Sequence, residues 1–208
     1  MSIKTRFAPS PTGSLHVGGL RTALYNFIFA KQNNGKFVFR LEDTDQNRLV
    51  KDSISNLLAS LKACGLKFDE GLIDSGLIDE KFQQSKRLDI YNQYFKKLIK
   101  SGKGYPCFIK DIKNINSQDI KADKKQFYQF EADNVLDRMS SGEQFYVRMK
   151  VPDSGNLIVH DYLRGKIKFD MSLQEDPIII KSDGFPTYHF ANVIDDYLMG
   201  ITHVIRGE

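Results

Sequence analysis

The stretch with the most chemistry in it is FAPSPTGSLHVGG, residues 7–19. Two prolines and a glycine lead into a helix whose first turn is His16-Val17-Gly18-Gly19, which makes a rigid turn followed by a helix N-terminus. Free backbone N–H groups there favour an anion, and the glycines let a phosphate or an adenine face approach the backbone closely. His16 can donate to a phosphate oxygen, and Ser10 and Thr12 add hydroxyls. A plainer reading stays open, in which the same residues form an N-capped helix with a surface histidine. A second polar run, Glu42-Asp43-Thr44-Asp45, has the residue types of a metal site, but a turn after a strand accounts better for Asp43 and Asp45. No convincing Ser-His-Asp or Cys-His set is visible. Cys64 and Cys107 are too few for a disulfide framework or a four-cysteine zinc site.

These residues need elements to position them. Ile3 to Ala8 reads as a strand that Pro9, Pro11 and Gly13 stop. From His16 the pattern is helical, with Val17, Leu20, Leu24, Phe27 and Ile28 on one face and a stop at Asn33-Asn34-Gly35. Lys36 to Glu42 alternates as a strand, and Val50 to Cys64 reads as a second helix with Ile54, Leu57, Leu58 and Leu61 inward. Strand, helix, strand, helix predicts a parallel sheet, with ligands beyond the carboxyl ends of its strands. After residue 80 the rhythm changes. Arg87 to Lys100 is an amphipathic helix followed by a strand near Tyr105 to Ile109, and 110–143 is polar with a weak helical signal near Glu131 to Met139. Phe145–Val151, Leu157–Asp161, Gly165–Phe169 and Pro177–Lys181 read as short antiparallel strands, Tyr188–Met199 as a helix and Thr202–Arg206 as a final strand. The expected architecture is a nucleotide-type α/β domain interrupted by an α+β insertion.

Composition narrows the setting. The 208 residues are 41% hydrophobic and 27% charged, which suits one globular domain or two small ones and excludes fibrous and disordered classes. Apolar runs last only a few residues and MSIKTRFAPS has no apolar signal stretch, so a cytoplasmic chain without a membrane span is expected. The net charge of +4 permits a polyanionic partner without demanding one. Its distribution is more telling: residues 86–125 hold 11 basic against 4 acidic side chains, which singles out the middle of the chain as the candidate nucleic-acid face. Lysine outnumbers arginine 21 to 9, a bias that a lysine-favouring genome would produce without any ligand.

Residues 7–19 resemble the first signature of class I aminoacyl-tRNA synthetases, in the His-Val-Gly-Gly form common among glutamyl-tRNA synthetases. RTALYNFIFAK (21–31), RLEDTDQNR (40–48), QSKRLDIY (84–91), RGKIKFD (164–170) and DGFPTYHFANVIDDYLMGITHVIRGE (183–208) are similar to the same family, in its order and at compatible spacing. The resemblance covers essentially the whole chain and is weakest over 110–143. It implies a class I synthetase fold, a Rossmann-like parallel sheet over 1–81 and 187–208 interrupted by an α+β acceptor-binding insertion at 82–186. It implies a glutamate pocket at Arg6, Ala8, Ser10, Glu42, Tyr188, Asn192 and Arg206, with Glu42 holding the α-ammonium and the two arginines the carboxylates. It places ATP at Thr12, His16, Gly18 and Gly19, with His16 catalytic and magnesium arriving on the nucleotide.

The implied reaction is attack of the glutamate carboxylate on the α-phosphate of ATP, then transfer of the glutamyl group to the terminal ribose of tRNA-Glu, whose acceptor stem the insertion holds. A monomer is expected. Some family members bind zinc through several cysteines after the strand holding Cys107; with Cys107 alone, no zinc is expected here. The family's KMSKS-type loop and helical anticodon-binding region are missing and the chain stops at Arg206-Gly207-Glu208, so a catalytic fragment is expected. Two other readings remain: the shorter relative that glutamylates queuosine in tRNA-Asp, and a substrate-binding platform without turnover.

Overall fold

A computed structural model describes residues 2–50, 52–108 and 132–207. The chain divides into two compact units, one of residues 1–91 with 188–208 and the other of residues 92–187.

In the first unit, β1 (Lys4–Phe7) pairs in parallel with β2 (Lys36–Phe39), with Lys4 opposite Lys36 and Phe7 opposite Phe39. Further parallel bridges join Val38 to Glu70 and Leu41 to Gln83. The crossover between β1 and β2 is α1 (Val17–Gln32), closed by the Asn33-Asn34-Gly35 stop, where the Gly35 N–H returns to the Ala30 carbonyl at 2.8 Å. α1 presents a different face from the expected one. Ala23, Asn26 and Ala30 are buried, Leu20 and Phe27 pack beside them, and Val17, Leu24 and Ile28 are exposed. The helix is apolar on more than one side, so periodicity alone does not choose the face; the small Ala23 and Ala30 let it lie close against the sheet.

α2 (Ser53–Ala63) buries Leu57 and Leu61 as expected, but starts at Ser53 because Asp52 is left-handed (φ 61°) and the Ser53 hydroxyl bonds the Pro11 carbonyl at 3.0 Å. The core between sheet and helices gathers Phe7, Phe37, Phe39, Leu41, Leu57, Leu61 and Leu66, with the Phe68 ring stacked 4.6 Å from Phe37. α3 (Leu88–Lys100) buries Tyr91, Phe95 and Ile99. Residues 82–91 go with the first unit because Gln84, Arg87 and Tyr91 all hydrogen-bond Asp195.

The expected strand at Thr202–Arg206 does not form a ladder. Thr202 and His203 both turn their N–H groups to the Lys4 carbonyl (2.9 and 3.2 Å), and the Thr202 hydroxyl accepts the Lys4 N–H at 2.8 Å. A side chain and two consecutive amides thus occupy the bonds that a regular register would alternate.

The second unit holds an antiparallel sheet in the order β3 (Gly104–Phe108), β4 (Phe145–Met149), β7 (Ile178–Ile180), and a separate hairpin of β5 (Asn156–Asp161) and β6 (Gly165–Asp170). The weak helical signal becomes α4 (Ala132–Ser140); most of the polar stretch before it, with part of the basic excess, lies outside the described residues. α5 (Tyr188–Leu198) then returns the chain to the first unit. Among the described residues, no helix is long and apolar enough to cross a membrane.

Gly71 fixes one close approach. Its φ is +104°, and a Cβ there would stand 2.1 Å from the Phe39 carbonyl oxygen, beside the end of β2. Gly71→Ala combines backbone strain with a clash and is expected to cost about 2–4 kcal/mol, seen as a fall in Tm of roughly 4–16 °C by calorimetry. An unchanged Tm would show that this approach constrains nothing.

Candidate active site

The site is assembled from the carboxyl ends of β1 and β2 and one face of α5. Arg40, just past β2, is wholly buried and divides its guanidinium between two carboxylates: Nη2 donates to Glu42 Oε1 at 2.9 Å and Nη1 to Asp196 Oδ1 at 2.6 Å. Asp196 also accepts from Arg6 Nε, at 3.1 Å and 3.2 Å to its two oxygens. Asn192 Nδ2 donates to Glu42 Oε1 at 3.2 Å. Beside this row, Asp195 accepts from Arg87 Nε (2.9 Å), Gln84 Nε2 (2.9 Å) and the Tyr91 hydroxyl (2.7 Å). Three arginines face three carboxylates, which is how so many buried charges can coexist.

Burial pushes the Glu42 carboxyl above its ordinary value of 4.5, against the opposing pull of Arg40 and Arg6. Burial works against the charge on Arg40, but Glu42 and Asp196 outweigh it and its pKa is raised. Burial and the adjacent Asp195 push the Tyr91 hydroxyl up as well.

Three groups in the row have atoms without a hydrogen-bond partner among the described residues; one of these, Arg40 Nε, is sealed in, with an Asp195 oxygen 4.0 Å away. Glu42 Oε1 takes both bonds from Arg40 and Asn192, leaving Oε2 free; Arg6 is held only through Nε, leaving both Nη groups free. The side chains of Arg6 and Glu42 are only 6% and 3% exposed. A buried cation and a buried anion, each with unclaimed hydrogen-bonding atoms, suit a small molecule carrying both charges.

The sequence stretch 8–13 runs beside this row. Glu42 donates its N–H to the Pro9 carbonyl at 3.0 Å, and Val50 N–H and the Ser53 hydroxyl meet the Pro11 carbonyl at 3.2 and 3.0 Å. Ala8 is half-buried, Ser10 and Thr12 exposed. At the start of α1, His16 is the N-cap: its Nδ1 accepts the Gly19 N–H at 3.3 Å. An accepting Nδ1 carries no proton, so in the neutral ring the proton sits on Nε2. Gly18 makes room for this, since a Cβ there would stand 3.0 Å from both Cε1 and Nδ1 of the ring.

Arg6, Glu42 and Asn192 thus share one hydrogen-bonded network. Tyr188 and Arg206 do not join it through any contact among the described residues. Tyr188 is 39% exposed, one helical turn before Asn192, and Arg206 is exposed with Nε on the Gly207 carbonyl at 3.3 Å. Arg206 is nevertheless anchored at its neighbour, because buried Asn26 donates to the Ile205 carbonyl at 2.9 Å.

Sequence reasoning missed Arg40, Asp195, Asp196, Arg87 and Gln84. The available signals were the same-side pair Arg40 and Glu42 in an alternating segment, and an Asp-Asp pair one turn from Asn192 in a helix. Asp43 is explained structurally: it accepts from Gln83 Nε2, the Ser85 N–H and the Ser85 hydroxyl at 2.6–2.8 Å. Among the described residues, no group of three His, Cys, Asp or Glu side chains stands ready for a metal ion. Cys107 is buried and its thiol is pushed up to about 11 by that burial.

The sequence model of the family described as "tRNA synthetases class I (E and Q), catalytic domain" matches residues 2–208, and the chain belongs to that family. Among curated proteins it is 46% identical to the glutamate–tRNA ligase of Chloroherpeton thalassium and 43% to that of Clostridioides difficile, with all of this chain aligned to 44% and 45% of theirs. Among solved structures it matches the glutamate–tRNA ligase of Elizabethkingia meningosepticum in complex with its amino acid, at TM-score 0.84 and 33% identity, covering 98% of this chain and 43% of that one. The chain therefore spans less than half the length of the curated relatives it matches.

The His16 geometry is directly testable. Long-range ¹⁵N–¹H spectra are expected to show Nδ1 unprotonated and Nε2 protonated in the neutral ring. Gly18→Ala is expected to displace the ring and populate both tautomers. Mixed tautomers in the unsubstituted protein would contradict the cap.

Proposed function

We propose that this chain is the glutamate-activating part of a glutamate–tRNA ligase. One observation carries the reading: Glu42 Oε2 and the Nη groups of Arg6 are unclaimed among the described residues, within an otherwise neutralised buried row. An α-amino acid with a side-chain carboxylate supplies the charges that complete it. Glu42, fixed by Arg40 and Asn192, takes the α-ammonium. Arg6 takes one carboxylate, and Arg206, anchored through Asn26, takes the other, with Tyr188, Ser10 and the backbone at Ala8 lining the pocket.

ATP is the second substrate. Its phosphates lie against the N-terminus of α1, where Gly18 and Gly19 permit close approach, His16 donates from Nε2, and Thr12 adds a hydroxyl. Magnesium comes as the counter-ion of those phosphates. The reaction needs no protein nucleophile: the substrate carboxylate attacks the α-phosphorus, pyrophosphate leaves, and the protein positions the partners and stabilises negative charge on the phosphates. The glutamyl group then passes to the terminal ribose of tRNA-Glu, with the second unit holding the acceptor stem. The setting is cytoplasmic and the protein monomeric.

A non-hydrolysable glutamyl-adenylate analogue tests the reading by calorimetry. It is expected to bind while the glutaminyl counterpart binds at least about tenfold more weakly, because the amide gives up a charge-assisted bond to arginine and turns its own donors toward donors. Equal binding of the two, or binding of neither, would overturn it. Glu42 adds a pH signature. Its raised pKa means that it protonates, and loses the ammonium, at a pH above 4.5; glutamate Kd should therefore rise on acidification, about tenfold per pH unit below that pKa. In Glu42→Gln binding should be weak and free of that acid limb. An identical limb in the variant would assign it to another group.

A further inference from the structure

Arg6 and Glu42 are the two receptors of the proposed pocket, and they have opposite charges. Buried side by side, such groups tend to pair with each other, and a pair so formed would have nothing left for a ligand. They are close enough to influence one another, since Arg6 is among the charges that act on Glu42. Yet no hydrogen bond or ion pair joins them among the described residues. What stands in the way is Asp196, which takes Arg6 side-on through Nε with both oxygens and takes Nη1 of Arg40 at 2.6 Å. The order of the row is Arg6, Asp196, Arg40, Glu42, alternating in sign, with the two ligand receptors at its ends.

We propose that Asp196 is a positioning residue that insulates Arg6 from Glu42, and so keeps both receptors open for an amino acid carrying an α-ammonium and a carboxylate. It touches no substrate; it acts by occupying the edge of Arg6 that would otherwise turn to Glu42 and by sharing Arg40. This rests on the reading of the pocket given above. Without the Asp196 charge the row has two arginines for one carboxylate, and both converge on Glu42. The loss should fall on the amino acid and spare the nucleotide, whose contacts at His16, Gly18 and Gly19 lie on α1 and its cap.

The test is calorimetric titration of the full chain with L-glutamate and, separately, with ATP. Asp196→Asn keeps the shape and removes the charge. It is expected to raise the glutamate Kd about tenfold or more and leave the ATP Kd within about twofold, buried charge pairs being sensitive to loss of one partner. Asp196→Glu keeps the charge and should stay within about threefold of the unsubstituted protein for glutamate.

A pH series separates insulation from a structural role. The charged groups acting on Glu42 are Arg40 just past β2, Arg6 on β1 and Asp196 on α5, with Asn192 as its neutral neighbour. Removing the one negative charge among them stabilises the Glu42 carboxylate, so the acid limb of glutamate binding should move to lower pH in Asp196→Asn. Glutamate affinity unchanged in Asp196→Asn, or lost equally in both variants together with ATP binding, overturns the insulation. An unmoved acid limb overturns it as well. If the unsubstituted protein binds ATP but no glutamate, the pocket reading itself has failed and the proposal falls with it.

Discussion

The structure depends on one buried guanidinium. Arg40 has no exposed surface, and it survives there because Glu42 and Asp196 each take one of its terminal nitrogens. This joins parts of the chain more than 150 residues apart: a strand end near the beginning and a helix near the end. Apolar packing builds the core of Phe7, Phe37, Phe39 and their neighbours, and α5 buries Phe190, Ala191 and Ile194 on its inner side. Pairing of unlike charges fixes the same face, since any rotation of α5 would take Asp196 from Arg6 and Arg87 from Asp195, leaving buried charges unpaired at several kcal/mol. The same pairing holds Glu42 still. In the proposed reading, where Glu42 receives an ammonium, being fixed beforehand is a gain, because the ordering has been done at folding and not at binding.

The local devices around the row serve the same end. A backbone bond from Glu42 to Pro9 ties residues 8–13 to the chain just past β2, and one from Val50 to Pro11 ties them to the entry of α2. Asp43, next in sequence to Glu42, spends its carboxylate on Gln83 and Ser85 and fastens the chain that leads into α3. At α1, the bare Cα of Gly18 allows an imidazole to lie over the first turn and cap it, leaving Nε2 outward-capable as a donor. Asn26 reaches from the buried face of α1 to the Ile205 carbonyl and fixes the backbone next to Arg206.

Much of this was legible in the sequence. The Pro-Gly interruption after β1, the Asn33-Asn34-Gly35 stop and the alternation of strands and helices gave the parallel pair and its crossover; the motif series gave the family and drew attention to Arg6, Glu42 and Asn192, which meet in one hydrogen-bonded network. What was not legible has physical causes. The buried face of α1 escaped periodicity because both sides of that helix are apolar and the deciding residues, Ala23 and Ala30, are small. Thr202–Arg206 has strand-like composition, but a threonine hydroxyl competing for the Lys4 amide breaks the ladder. Arg40, Asp195 and Asp196 were not singled out, since a partner such as Asp196, 156 residues from Arg40, leaves no local trace.

Arg40 and Glu42 are held as a pair, not as two independent polar residues. A double-mutant cycle of Arg40→Met and Glu42→Gln, read by urea unfolding, tests it most directly. Arg40→Met is expected to destabilise by about 3–5 kcal/mol because Glu42 keeps only neutral Asn192, Glu42→Gln by less because Arg40 keeps Asp196, and the double variant loses little more than Arg40→Met alone. Losses that simply add, to within about 0.5 kcal/mol, would contradict the account.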